Sequence, residues 1–505
     1  MTPPNILIFM VDQLNGTLFP DGPADWLHAP NLKKLATRST RFANAYTASP
    51  LCAPGRASYM SGLLPSRSRV YDNAAEFSAD IPTYAHHLRR AGYQTCLSGK
   101  MHFTGQDQLH GYEERLTTDI YPSDFGWTPN WDEPEEKVTF QDMTNVLETG
   151  PCLRSLQIDY DDDVATKACG WLYDRARAES KQPFMLTVSF TSPHDPYVTR
   201  PEYWDLYTDD EIDLPAVPPI PANKMDAHSK RIHAHYSIGK ADINDNVIRR
   251  ARHGYYASIE YIDAKVAALM QVLEETGLSE NTIVVFTSDH GDMMGERGLH
   301  YKKTFFEWSA RVPLIFWAGD RLNPHRVIET VSLLDILPTF ADLAGTWNDV
   351  IEADGTSLIP LLDGKTIEPR TVPGELLSEG VFEPTFMLLR GRVKLFYSEV
   401  DPPLLFDLVS DPDELADVSH NPAYAETLDA MLSEARALWD AKALRDCIIK
   451  DQNRRRLINR SHKIGSSPVW DYQPYKDASK QYVRAGKWTT EVEAKAHLDK
   501  PRSRD

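Results

Sequence analysis

Three groups of residues have the types and spacing that chemistry needs. The run Pro50-Leu51-Cys52-Ala53-Pro54-Gly55-Arg56 sets a cysteine just ahead of a predicted helix start at Pro54, because proline is favoured in a first helical turn. Free N–H groups and the helix dipole favour an anion there, and the same field lowers a thiol pKa. Arg56, four residues on, can return over that site as a fixed cation with a fork of donors. Position alone leaves Cys52 open as an anion contact, an activated thiolate or a small buried thiol. Asp12 closes the apolar run 5–11, and Ser288-Asp289-His290-Gly291 follows the run 282–287. Ligands of open α/β sheets sit beyond the carboxyl ends of the strands. Two carboxylates and an imidazole meeting there suit calcium, magnesium or manganese better than a thiolate-loving metal. Gln13 offers a further carbonyl oxygen.

Such residues need a scaffold. The apolar runs 5–11, 93–97, 184–190, 282–287 and 312–317 read as strands, the first as one buried on both faces of a parallel sheet. Helices are predicted over 30–37, from Pro54, over 81–91 with Gly92 as stop, over 160–179, over 247–276 and over 335–344. The clearest is 247–276, where Tyr255, Ile259, Ile262, Val266, Leu269 and Leu273 recur at steps of four and three before Gly277. Strands alternating with helices predict an α/β domain with a largely parallel sheet. Near Gly364 the pattern changes: 387–397 and 404–408 read as strands of a small antiparallel sheet, and 421–443 as a helix packed on it. The last 55 or so residues show no strong period, yet they hold Trp470, Tyr472, Tyr475, Tyr482 and Trp488. They read as an arm packed on the body or on a neighbouring subunit.

Composition narrows the field. The chain has 505 residues, 54 Lys plus Arg against 73 Asp plus Glu, and a net charge of −19. That balance argues against nucleic acid and anionic membranes as partners, so cations for an anionic ligand must be gathered in a pocket. Five cysteines without zinc-ribbon spacing read as reduced and intracellular. The start, MTPPNILIFMVDQ, lacks a basic leader region, and no apolar stretch reaches membrane length. A cytoplasmic location is expected.

At this point the residues carry a resemblance. Cys52-Ala53-Pro54-Gly55-Arg56 with Met60-Ser61-Gly62 resembles the signature of type I sulfatases, and Gly92-Tyr93-Gln94-Thr95 leading to Gly99-Lys100-Met101-His102 resembles their second signature. Asp12 and Asp289-His290-Gly291 fall where that family's metal ligands fall, and Leu405-Phe406-Asp407-Leu408 with Asp411, Pro412 and Glu414 resembles its C-terminal strand motif. Four motifs in the family's order over about 400 residues are far more specific than one. Asp119-Ile120-Tyr121-Pro122 with Asp124-Phe125-Gly126-Trp127, Ser192-Pro193-His194-Asp195-Pro196-Tyr197, and Trp470-Asp471-Tyr472-Gln473-Pro474 are similar to choline sulfatases. Gly55, where Ser or Ala is commoner, His300, where an aromatic is expected, and the tail Arg484-Ala485-Gly486-Lys487 depart from the pattern.

The resemblance implies an alkaline phosphatase-like α/β fold: a large mainly parallel sheet flanked by helices over 1–365, a smaller C-terminal α+β domain over 366–450, and an extended arm over 451–505 as oligomer contact. It implies oxidation of Cys52 to formylglycine by a formylglycine-generating enzyme. It also implies a divalent metal on Asp12, Cys52, Asp289 and His290, with calcium expected and manganese or magnesium as alternatives. The hydrated aldehyde would attack sulfur and later expel sulfate, a covalent catalyst that regenerates itself. Arg56 and Lys100 would steady it, and His102 would be the base in sulfate release. His194 and Lys302 would hold the sulfate and protonate the leaving alcohol, with Lys303 as the alternative contact. Trp127 would take a quaternary ammonium on its face, with Glu379 as its carboxylate and Asn73 near the ester. The implied reaction is choline-O-sulfate to choline and sulfate, by a homodimer or homotetramer. The alternatives are an arylsulfatase, a phosphonate monoester hydrolase, or a non-catalytic metal-holding protein with Cys52 unmodified.

Overall fold

Three seven-residue strands are buried along their whole length: β1 (Asn5–Val11), β5 (Phe184–Phe190) and β6 (Thr282–Ser288). Only strands covered on both faces can be so. With β2 (Thr40–Tyr46), β3 (Gln94–Gly99), β4 (Glu114–Arg115), β7 (Arg311–Trp317) and β8 (His325–Ser332) they form an eight-stranded sheet. In this computed structural model, which describes residues 3–134, 141–180, 182–350, 352–474 and 489–497, the order is β8-β2-β7-β6-β1-β5-β3-β4. Every pairing is parallel except those of β7, which runs antiparallel to β2 and to β6.

The strand period of two sorts side chains to two faces. Leu7, Phe9 and Val11 enter one apolar cluster with the predicted stripe of α5 (Asp245–Glu275). Ile6, Ile8 and Met10 enter the other, with Tyr59 of α2 (Cys52–Ser61), Leu88 of α3 (Tyr84–Arg90) and Phe340 of α6 (Ile336–Leu343). All six stripe residues of α5 are buried, each contributing about 1.5–3 kcal/mol on the usual area scale. α1 (Pro30–Thr37) and α4 (Leu156–Arg177) complete the first face. No helix among the described residues is long and apolar enough to cross a membrane.

A separate antiparallel sheet follows, β9 (Thr371–Leu376), β10 (Thr385–Arg390), β11 (Val393–Tyr397) and β12 (Leu404–Asp407). The single strand expected over 387–397 is thus two, joined through Gly391 at φ 59°. The helix expected over 421–443 also divides. α7 (Ala425–Leu438) stops where Trp439 turns extended and stacks on Phe386, rings 4.2 Å apart. Asp440 then caps Ala443 N–H and starts α8 (Ala441–Ile464). The first part of the stretch expected to lack a period is therefore helical. Tyr475, Tyr482, Trp488 and the run Arg484-Ala485-Gly486-Lys487 lie outside the described residues.

Candidate active site

Four adjacent strands deliver the chemistry at their carboxyl ends. Asp12 follows β1, Asp289 and His290 follow β6, Lys100 follows β3, and the β5 end leads to His194. Gly99 allows the close approach. It sits at φ 114°, and a Cβ there would lie 1.9 Å from Ser189 O, so only glycine fits. Lys100 N–H then donates to Ser189 O at 3.0 Å. α2 starts at Cys52, two residues before Pro54, so the proline falls within the first turn, where no N–H is missed. Leu51 has no capping side chain, and Asn73 Oδ1 instead accepts from Ala53 N–H at 3.0 Å.

Asp12, Cys52, Asp289 and His290 converge, fully buried, with one ligand atom of each within 4.8 Å of the others. Cys52 Sγ lies 3.2 Å from His290 Nε2 and 3.9 Å from Asp12 Oδ1. His290 Nδ1 faces Gly291 O at 3.0 Å, which turns Nε2 into the cluster. Arg56 binds Asp12 Oδ2 at 3.1 Å, Asp289 Oδ2 at 2.8 Å and Ser189 Oγ at 2.9 Å. Lys100 Nζ donates to Asp12 Oδ2. Burial pushes the Asp12 carboxyl and the Cys52 thiol up. Lys100, His194 and Arg56 overcome this at Asp12, as Lys100, Lys302 and His290 do at Cys52, and both groups are held well below their ordinary range. Buried carboxylates beside an imidazole nitrogen, which gives up its proton to a metal, are a donor set that fits a divalent cation.

Beside the cluster, Lys302, Gln13, His194 and Asp195 form a hydrogen-bonded network. Lys302 Nζ donates to Gln13 Oε1 and to His194 Nε2, the latter at 2.8 Å. His194 Nδ1 bonds the Asp195 backbone O at 2.7 Å and lies 3.2 Å from its Oδ1, to which Gln13 Nε2 donates at 3.3 Å. Asp195 thereby sets the His194 tautomer. Both Gln13 oxygens have donors already, Oε1 from Lys302 and the backbone O from Tyr255 at 2.6 Å. Lys303 turns the other way, its Nζ 2.7 Å from Glu379 Oε1 and 3.0 Å from His235 Nε2. Burial raises the Glu379 carboxyl, but Lys303 and His235 prevail and bring it down to about 2.

A cavity of about 860 Å³ opens from this cluster. Cys52, Asn73, His102, Trp127, His194, Lys302, Lys303 and Glu379 all line it; Asp12, Arg56, Lys100, Asp289 and His290 sit beneath its floor. Tyr121 forms one wall, its ring centroid 4.3 Å from Lys100 Nζ, 5.8 Å from the Trp127 ring and 5.9 Å from the His194 ring. His102 sits 5.9 Å from Trp127, and both its ring nitrogens are buried without a hydrogen-bond partner among the described residues. Its backbone, at φ 58°, is held by Asp119 Oδ2, which accepts the N–H groups of Met101 and His102. The C-terminal part reaches the cavity as well. Lys463 of α8 lines it, Trp470 packs on Phe125 at 5.1 Å, and Asp471 accepts from Ser123 Oγ at 3.0 Å.

Sequence reasoning missed several of these residues. Ser189, Asp119, Asp195 and Tyr121 all support the site, and each lies within or beside a motif already singled out. Lys463 carried no signal, since a lysine on a polar helix usually faces water.

An α/β sheet that gathers a thiol, two carboxylates, an imidazole and three cations at its strand ends defines a hydrolase for an anionic ester. Comparison narrows the class. The family model described as Sulfatase matches residues 4–346, and those described as N-sulphoglucosamine sulphohydrolase, C-terminal and as Choline sulfatase enzyme C terminal match 295–440 and 446–497. The chain is 49% identical over 492 residues to a choline-sulfatase of Rhizobium meliloti (strain 1021), covering 95% of this chain and 96% of that protein. It is 30% identical over 453 residues to an arylsulfatase of Clostridium perfringens, covering 84% and 92%. Its fold is similar to that of a phosphonate monoester hydrolase from Silicibacter pomeroyi, at a TM-score of 0.69 and 22% identity over 86% of this chain and 94% of that one. The chain belongs to the sulfatase family and is a sulfuric ester hydrolase.

Proposed function

We propose that the chain hydrolyses choline-O-sulfate to choline and sulfate. One observation carries the reading: a buried, cation-rich cluster around Cys52 opens directly into a cavity walled by Tyr121 and Trp127. The first half suits a sulfuryl group and the second a quaternary ammonium, which has no N–H to donate and is bound by aromatic faces. The near full-length similarity to a protein named choline-sulfatase supports it.

Asp12, Asp289, His290 and residue 52 would hold a divalent cation, calcium by preference and manganese or magnesium otherwise. With residue 52 as formylglycine, the two groups would supply a hydrated-aldehyde nucleophile at neutral pH and offset sulfuryl charge. Arg56 binds Asp12 and Asp289 together and holds both carboxylates in place. Lys302 lines the cavity and faces the sulfuryl oxygens as a preorganised cation, while Lys100, beneath the floor, steadies Asp12 and adds positive charge below residue 52. His194, oriented by Asp195, and Lys302 share a hydrogen bond from which a proton passes to the departing alkoxide. His102 has a free ring nitrogen and takes the proton when sulfate is released. At the alcohol end Trp127 and Tyr121 meet the trimethylammonium group. Glu379 already shares its charge with Lys303, so the aromatic faces carry most of the recognition. Asn73, by capping α2, holds residue 52 toward the ester.

We further read residues 1–365 as the catalytic domain, 366–450 as a smaller C-terminal domain, and 451–505 as an arm that joins copies into a homodimer or homotetramer. Ile464 and Val469 are 90% and 78% exposed on that arm. Five free thiols support a reducing cytoplasm. A formylglycine-generating enzyme is the partner in maturation.

The test has two arms on protein made in its native host. The peptide holding residue 52 should weigh about 18 Da less than its thiol form, and kcat/KM should favour choline-O-sulfate over an aryl sulfate and phenyl phosphonate. An intact, alkylatable thiol in active enzyme would overturn the mechanism, and preference for either other ester would overturn the substrate. Sedimentation showing only monomer at micromolar concentration would remove the oligomer.

A further inference from the structure

The alcohol half of the cavity is formed by two loops that are distant in sequence, 72–73 and 121–128. One side chain joins their backs. Arg455, on α8 and 4% exposed, gives Nη1 and Nη2 to the two oxygens of Asp72 at 2.8 and 2.7 Å. The same Nη1 reaches Thr128 Oγ1 at 3.2 Å, and Nε is held by Asp451 Oδ2 at 2.8 Å. Asp72 is fully buried and also accepts Ala74 N–H at 2.9 Å, so its loop is pinned on both sides of Asn73. Thr128 follows Trp127 directly and ties back to Phe125 O at 2.9 Å. On the same helix face, Gln452 Oε1 accepts Trp131 N–H at 2.9 Å.

We propose that Arg455 is a positioning residue for alcohol selectivity, holding Asn73 through Asp72 and Trp127 through Thr128 at a fixed separation. The inference rests on the functional reading above, in which this half of the cavity receives choline. A buried ion pair adds little net stability over an apolar replacement of similar size. What it adds is geometry, because a guanidinium bound at both ends of its fork fixes angle as well as distance. A lysine would supply the charge without the fork.

The experiment compares choline-O-sulfate with ethyl sulfate, a primary alkyl ester lacking the ammonium group, in wild type, Arg455→Lys, Arg455→Met and Thr128→Val. The Arg455 variants should lower the choline-O-sulfate to ethyl sulfate ratio of kcat/KM by about tenfold, mainly through KM, with kcat near wild type. Thr128→Val leaves the Arg455–Asp72 pair intact and should lower the ratio by about threefold. Equal loss on both esters, or an unchanged ratio, overturns the proposal. Thr128→Val decides the matter if the Arg455 variants fail to fold. A wild type with no preference for choline-O-sulfate removes the functional reading and this inference together. A wild type with that preference and variants that keep it removes the inference alone.

Discussion

The two ends of the cavity are built by different means. At the sulfuryl end, three neighbouring strands of one sheet are followed directly by Asp12, Lys100 and Asp289, a fourth leads to His194, and the spacing of strands sets the spacing of these groups. Arg56 and Lys100 have no exposed surface and are fully paired. At the alcohol end, the 72–73 and 121–128 loops, Lys303, the turn after β9 and α8 meet without a common element. Lys303 and Glu379 pair with each other there, and aromatic rings set the walls. The first end can change little without unfolding the sheet. The second can be retuned one loop at a time, which is how one fold serves different esters.

If that contrast holds, damage should be severe at the first end and selective at the second. Asp12→Asn strands Arg56 and Lys100 in a buried site. We expect turnover to fall by at least about 10²–10³, retained metal to fall below stoichiometric amounts on elemental analysis, and stability to drop by about 3–5 kcal/mol in denaturant. Full activity with full metal content would refute the arrangement. His102→Ala should lower kcat by about 10²–10⁴ with little change in melting temperature, and single-turnover experiments should show sulfate release as the slowed phase. Trp127→Ala should raise KM for choline-O-sulfate about tenfold or more, from a desolvated cation–π contact of about 2 kcal/mol, while kcat for ethyl sulfate stays near wild type. Equal loss on both esters would mean that Trp127 serves packing alone.

The smallest effect concerns Glu379. Its folded pKa, about 2, lies below the ordinary value of 4.5. The stability it contributes is therefore complete above that ordinary value and is lost as pH falls toward 2. Urea titrations of wild type and Glu379→Gln at pH 7 and at pH 3.5 should show a smaller difference at the lower pH. A difference independent of pH would show that the Lys303 pair adds nothing.

The same contrast explains what could be read from residues alone. Strands 5–11, 184–190 and 282–288 are mostly apolar and buried along their whole length, so their burial and the charged residues that follow 5–11 and 282–288 were legible together. β2 and β8 mix polar with apolar residues at the sheet's edge side, in TRFANAY and HRVIETVS, and gave no strand signal. The direction of β7 depends on how the chain returns after Lys303, which no local pattern encodes. At the alcohol end, Trp127 was named by motif and Glu379 and Asn73 by the family resemblance, but nothing local tells that Arg455 lies against Asp72, 383 residues away. α8 escaped notice because its charged residues surround a narrow apolar stripe that buries only Ile448 together with Ala441, Gln452 and Arg455.

The loop after β6 links the two ends of the cavity. Lys303 holds φ at 72°, in the left-handed region that costs a non-glycine residue about 1 kcal/mol. The turn sends two consecutive lysines to opposite subsites, Lys302 to His194 and Lys303 to Glu379. The two ammonium heads thus diverge from one backbone turn. Such a loop behaves as a shared hinge pin: a shift of that one turn would move the partners of His194 and of Glu379 together, so the two ends of the cavity are not free to drift apart independently.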